Sequence, residues 1–462
     1  MKSKTLLFAL LASVICMPAW AQEETDTEIK TVEPVKKVPF AGQDQTWQNG
    51  ADRRTEPPVL QGKYFTGSIM VDVNYTHSFN NPNDNTVVGS TALARNNEME
   101  VSCAAIGGDF YYKGARGRIM TQFGTRSTVV PRNDYSVYRG QYNLADVYRY
   151  ISEAYAGYHF DKWYGINVDA GMFMSYVGLN SYYQVENWEY QASFTSDNTP
   201  WFFNGVRVQV FPTAKLKLEG WLINGWQSYA KFNRMPGVGF NITWCPKESI
   251  KLLTNDYYGT DAAGIPDRKR FHSDNSLLVR YYNKPESKGI SRMAFSLTGD
   301  FGFENGGGVS AFGGGPGPAQ NFVSGMFYNR VWFHKNKFAW TAGGGYMTNP
   351  GRYLVLYPTG DASPLPDPNN PTKTAGTHPF SANPGDAFEG WDCSTNFDWM
   401  PNQSITFRAE FVHRESSVPY FAGAGGVTSP SGYTTTPVPA SGWQPDLVRS
   451  ESRLIFAALF RL

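Results

Sequence analysis

The chain has 462 residues, with 41 Lys and Arg against 40 Asp and Glu, a formal net charge of +1. That balance offers no basic face to a polyanion, so nucleic acid is excluded as a partner. Aromatic residues make up 15 % and charged residues only 18 %, below the roughly 25 % charged residues of ordinary soluble domains.

Residues 1–21 read as a signal peptide. Lys2 and Lys4 precede an apolar stretch from Leu6 to Met17, and Ala19-Trp20-Ala21 supplies the small-residue cleavage pattern. Gln22 then opens the mature chain, and loss of the two lysines takes the formal charge from +1 to −1. Cys16 leaves with the leader. Cys103, Cys245 and Cys393 remain, too few and too scattered to staple a chain of this length. Residues 22–60, beginning "QEETDTEIKTVEPVKKVP", are charged and short of aromatics. They read as a flexible N-terminal segment, too short to be a globular plug.

From Gly62 onward the pattern alternates with period two, the mark of β-strands. Ile69, Val71, Val73 and Tyr75 oppose Met70, Asp72 and Asn74. Leu216, Leu218 and Leu222 oppose Lys215, Lys217 and Glu219. Ile405, Phe407, Ala409 and Phe411 oppose Thr406, Arg408, Glu410 and Arg414. Runs of about ten residues suit a tilted bilayer crossing better than a soluble sandwich, whose strands are commonly five or six. No apolar helix of about 20 residues follows the leader.

The connections alternate too. Short turns near 113–117, 161–163, 212–215, 246–249, 283–289, 334–337 and 401–403 are interleaved with long links near 80–96, 127–147, 176–204, 227–236, 259–273, 304–319, 350–386 and 414–448. This predicts an all-β fold: a transmembrane, antiparallel, up-and-down β-barrel over residues 61–462, with about 16 strands (14–18), short periplasmic turns and long extracellular loops. Hydrocarbon tolerates no unpaired backbone, so such a sheet must close. With about 16 strands it encloses a lumen rather than a side-chain core. The last run, "SESRLIFAALFRL", puts Leu454, Phe456, Ala458, Phe460 and Leu462 on one face and Arg453 and Arg461 on the other. It is expected to pair with Gly67–Tyr75 and close the barrel.

The stretch 170–246 carries Gly171-Met172-Phe173, Gly205-Val206-Arg207, Ile223-Asn224-Gly225-Trp226-Gln227 and Gly237-Val238-Gly239-Phe240. With these motifs the chain resembles the OmpL-like β-barrel porin family. The resemblance implies a Gram-negative outer-membrane pore with no defined substrate and no catalytic residues. It also implies contact with outer-membrane lipid and lipopolysaccharide, insertion by the barrel-assembly machinery, and a homotrimer by analogy with other porins. Leu462 stands where such barrels commonly end on Phe.

In 16-stranded porins the third long loop narrows the barrel. Here residues 176–204 hold Tyr182, Tyr183, Glu186, Trp188, Glu189, Tyr190 and Asp197. They are expected to form an acidic, aromatic constriction facing Arg118, Arg149, Glu153, Arg207, Arg280, Arg292, Arg408 and Glu410 on polar strand faces. The plainer reading makes Arg118, Glu153, Asp169, Glu219, Arg408 and Glu410 a salt-bridge network that braces the wall, with the loop directed outward. Tyr148, Tyr158, Phe160, Trp163, Trp244, Phe333 and Trp399 suit the interfacial girdles, whereas Trp221 and Tyr155 are candidates for a sugar-stacking track.

No cofactor or metal site is expected, since no metal-ligand spacing occurs among the six histidines. The leading reading is a porin, not an enzyme, passing ions and small polar solutes by passive diffusion. The alternative is a structural or adhesive barrel that binds a partner through loops 350–386 and 414–448. A hydrolase using His159 or His413 ranks third.

Overall fold

The computed structural model describes residues 37–131, 134, 136, 140–314, 319–351, 387–433 and 445–462. The leader, Asp361, Asp367, Asp386 and most of the loop 350–386 lie outside the described residues.

The barrel strands are β1 (Phe65–Ser78), β2 (Met99–Tyr112), β3 (Ala115–Thr121), β4 (Ile151–Phe160), β5 (Ile166–Met174), β6 (Phe202–Thr213), β7 (Leu216–Ile223) and β8 (Gly237–Lys247). They continue as β9 (Ile250–Gly259), β10 (Lys269–Asn283), β11 (Ile290–Asn305), β12 (Asn321–Phe333), β13 (Phe338–Asn349), β14 (Phe388–Trp399) and β15 (Ile405–Ser416). A two-residue ladder, β16 (Phe421–Ala422) with β17 (Leu447–Val448), lies in the last long loop, and β18 (Ser450–Arg461) completes the wall.

Apart from β16 and β17, every strand pairs antiparallel with its chain neighbours, and β18 joins β15 on one side and β1 on the other. This is the closed 16-stranded barrel read from the alternation. At the seam Asp72 faces Leu459 and Tyr75 faces Phe456. Leu462 donates to the Ile69 carbonyl at 2.9 Å and accepts from its amide at 3.1 Å, so a terminal leucine completes the ladder by backbone alone. Short turns gather at one end, the periplasmic end of such barrels. The β2–β3 link is a two-residue turn in which Lys113 and Gly114 both have positive φ, 48° and 85°, as a tight hairpin turn of matching twist demands.

β14 shows why the pattern was readable. Asp392, Ser394, Asn396 and Asp398 are buried inside, while Trp391, Phe397 and Trp399 face out with 41 %, 50 % and 47 % exposure. A charge on the lipid side would cost about 2–4 kcal/mol for Arg or Lys at midplane, and the mid-strand acids Asp392 and Asp398 accordingly face the lumen. Tyr158, Phe160, Trp163, Trp244 and Trp399 are exposed near the short turns, where a girdle belongs. Tyr148 is a correction. It ends a short helix in the second long loop and packs on Tyr229, ring centroids 5.4 Å apart.

The interior is largely occupied by the chain itself. Besides the third loop, the first loop folds inward, with Val87, Val88, Ala92 and Leu93 at most 3 % exposed. Residues 37–56 differ from the flexible segment expected for 22–60. Trp47 is 0 % exposed among Leu179, Trp188, Trp332 and Met400, and a chain of hydrogen bonds ties this segment to the periplasmic turns. Its few docking residues are spaced without periodicity, so the docking leaves no alternating pattern.

Candidate functional site

The third loop runs from Ser175 to Trp201 and is held inside by the lumen faces of β12–β15. Glu410 on β15 accepts the amides of Tyr190 at 2.6 Å and Gln191 at 2.8 Å. Asp392 on β14 accepts the Phe194 amide at 2.8 Å and the Ser193 hydroxyl at 2.9 Å. Arg408 donates to the Asn187 carbonyl at 2.8 Å, and Arg330 and Asn396 donate to the Trp188 carbonyl at 3.1 and 2.9 Å. Arg414 pairs with Asp197 at 2.9 Å, and the first loop adds Thr91, bonded to the same Asp197 at 2.7 Å. Loop backbone in a low-dielectric interior has no water to satisfy it, so these wall charges take that place.

The residues singled out from sequence fall into three groups. Tyr183, Glu153 and Arg118 form one chain: the Tyr183 hydroxyl lies 2.9 Å from Ser152 and 3.3 Å from Glu153, and Arg118 pairs with Glu153 and Asp109 at 2.7 Å each. Arg408 and Glu410 bind loop backbone as above, and Arg408 also pairs with Asp398 at 2.7 Å. Glu186 pairs with Arg461, and Glu189 is fully buried between Asn180 and Asn49. Tyr182 is covered by the Arg126 guanidinium, 4.0 Å from its ring centre.

Arg207 pairs with Asp169 at 2.7 Å and lies 4.5 Å from the Phe173 ring centre. Its neighbours Tyr155 and Trp221 are packed rather than open: Tyr155 stacks on Phe173 at 4.9 Å, and Trp221 stacks on Tyr176 at 4.8 Å. Gly239 lies against the Tyr176 ring, with no room for a Cβ. Both rings are packed on one side, and Trp221 also lines the chamber against β4–β9.

Three placements differ from the sequence reading. Arg149 is not on a strand; it caps the helix Leu144–Tyr148 before β4 and pairs with Asp146. The Asn143 side chain accepts the Asp146 amide, starting a helical turn where alternation suggested a strand. Arg280 and Arg292 face Asp44 of the N-terminal segment, at 2.6 and 2.9 Å, rather than the third loop. His159 bonds Asn167 at 2.7 Å, and His413 bonds Ser452 at 2.9 Å beside Trp391.

Two pockets among the described residues differ in size. Between the N-terminal segment, the third loop and β12–β15 lies a small pocket of about 20 Å³, room for about one water. Against β4–β9 a chamber of about 410 Å³ is bounded by Phe40, Gln45, Gly50 and loop residues 175–182. Its charged lining is Glu153, Arg207, Lys217, Glu219 and Lys251. Lys217 pairs with Glu219 at 2.9 Å. The sequence reading places Lys217 on a polar face without a role, gives Glu219 only to the bracing network, and does not use Lys251. The signal for Lys251 was there: it is the charged residue of "IKLL", in register with the lumen-facing Leu278.

A family profile described as "Putative beta-barrel porin-2, OmpL-like" matches residues 64–438. The chain belongs to this family. No curated protein sequence matches it. Among solved structures, OprB of Pseudomonas putida is 10 % identical with a TM-score of 0.49, covering 87 % of this chain and 94 % of its own. The outer membrane channel DcaP of Acinetobacter baumannii is 12 % identical with a TM-score of 0.46, covering 86 % and 96 %. The anion-selective porin from Comamonas acidovorans is 8 % identical with a TM-score of 0.45, covering 86 % and 99 %. Family and topology together make this a porin barrel of the outer-membrane type and point to a channel.

Proposed function

We propose that this porin is a passive diffusion channel for ions and small polar solutes, and that its path runs along β4–β9. The observation that supports this is the chamber of about 410 Å³ beside Arg207, Lys217 and Lys251. The third loop sets the narrow side of the path. The wall charges Arg408 and Glu410 hold that loop, whereas the chamber charges meet the solute. Arg207 is paired with Asp169, Lys217 with Glu219 and Glu153 with Arg118, which leaves Lys251 to favour anions weakly, as lining charges do in pores. No cofactor takes part. Outer-membrane lipid and lipopolysaccharide surround the exposed aromatic wall, β18 is the strand offered to the assembly machinery, and a homotrimer is the proposed assembly.

The test is planar-bilayer conductance of the purified full chain, with reversal potentials in a salt gradient. Discrete steps with a mild anion preference are expected. Insertion without steps, in the full chain and in a chain lacking residues 38–56 alike, sinks the reading.

A further inference from the structure

The N-terminal segment crosses the periplasmic mouth. The Phe40 amide donates to the Ala214 carbonyl in the β6–β7 turn at 2.9 Å, and the Trp47 indole donates to the Glu248 carbonyl in the β8–β9 turn at 2.9 Å. At the far end Arg53 donates to the carbonyls of Asn402 and Ile405 at 2.9 and 2.7 Å, across the β14–β15 turn. In the closed strand order these two end turns are eight strands apart in either direction, hence diametrically opposed. The 13 residue-to-residue steps from position 40 to position 53 can reach up to about 45 Å when extended, enough for such a chord.

Midway the segment also grips the third loop. The Gly50 amide donates to the Glu186 carbonyl at 3.1 Å, and the Asn49 side chain accepts the Trp188 amide at 2.9 Å. Phe40, Gln45 and Gly50 form part of the chamber boundary itself. Trp47 buries its whole side chain inside the barrel, yet contributes no rung to the ladder that holds the wall closed.

We infer that residues 38–56 are a detachable strap that closes the periplasmic side of the channel and locks the third loop, and that solute flow requires it to leave. This rests on the channel reading. Undocking removes the chamber's periplasmic boundary and releases Glu186–Trp188 from their partners in the strap, while the β-ladder stays intact.

The test compares single-channel conductance of the full chain with that of the same chain lacking residues 38–56, both verified as folded by heat-modifiable gel mobility. A severalfold rise in mean conductance or open probability on deletion is expected. Equal values overturn the inference while leaving the channel reading in place, and silence in both overturns the channel reading. A second arm is independent of the deletion's folding. Thr55→Cys with Gln403→Cys, in a Cys393→Ser background, joins two side chains now hydrogen-bonded at 2.7 Å. Oxidised channels should stay closed and open on reduction, whereas identical traces in both states overturn the strap.

Discussion

The carboxylate of Glu410 accepts the backbone amide of Tyr190 at 2.6 Å, tying the barrel wall to the loop that fills it. Glu410→Ala orphans this amide and that of Gln191. A buried unsatisfied donor costs about 1–3 kcal/mol, and the cost falls on loop docking rather than on the barrel, whose ladders are untouched. Faster protease cleavage within residues 176–201 is expected, with unchanged heat-modifiable mobility. Cleavage at the wild-type rate would remove Glu410 from loop positioning.

Ion preference should follow the chamber and not the loop acids. Glu189 is enclosed by Asn180 and Asn49, and Glu186 is paired with Arg461, so neither carboxylate is free to meet a passing ion. Lys217→Gln combined with Lys251→Gln should move the reversal potential toward cations. Glu189→Gln should leave it nearly still. The opposite ranking would return the filter to the loop.

Acid should loosen the strap. Burial by itself raises the Asp44 carboxyl, but the Thr46 hydroxyl and the Arg292 and Arg280 guanidiniums outweigh it, leaving it below the ordinary carboxylate value. Glu248 faces the same Arg280. A lowered value means that docking favours the charged form, so its contribution is full above the free-carboxylate value of about 3.9 and is lost as pH falls through the docked value. Opening should therefore be flat from about pH 8 to 5 and rise below about pH 4. Asp44→Asn should raise opening at neutral pH and blunt the acid rise. An identical pH profile in the variant would exclude Asp44 as a latch.

Trp47→Ala tests the strap's anchor directly. Truncating a buried Trp typically costs about 3–5 kcal/mol, here charged to strap docking. Trypsin should cut at Arg53 or Arg54 much faster in the variant while the barrel fragment survives intact. Equal resistance would mean that the hydrogen bonds to the turns hold the segment without the indole.

The wall was legible because its two faces meet different surroundings. In β14 and β15 the choice between Phe407 outside and Arg408 inside follows from dielectric alone, and period-two alternation records it. The inward loops were far less legible. Val87, Val88 and Leu93 look like loop apolars until their burial is seen, although an uncharged run such as "TVVGSTALA" in a supposedly solvated loop was a signal. Nothing local announces that Trp47 will pack against Trp332, or that Asn49 will hold Trp188, because those partners are hundreds of residues or a whole loop away. Arg149 was misplaced because a one-turn helix and a strand start share the same short pattern of Tyr and Arg.

The chord from Phe40 to Arg53 also has a mechanical consequence. A tube made from one hydrogen-bonded ribbon can be squeezed into an oval when lateral pressure in the bilayer is uneven. A tether fastened at Ala214 and Asn402 fixes one diameter of the rim and leaves the perpendicular one free. The mouth is thus stiff along a single axis, and any distortion that lengthens this axis is borne first by the tether's end bonds.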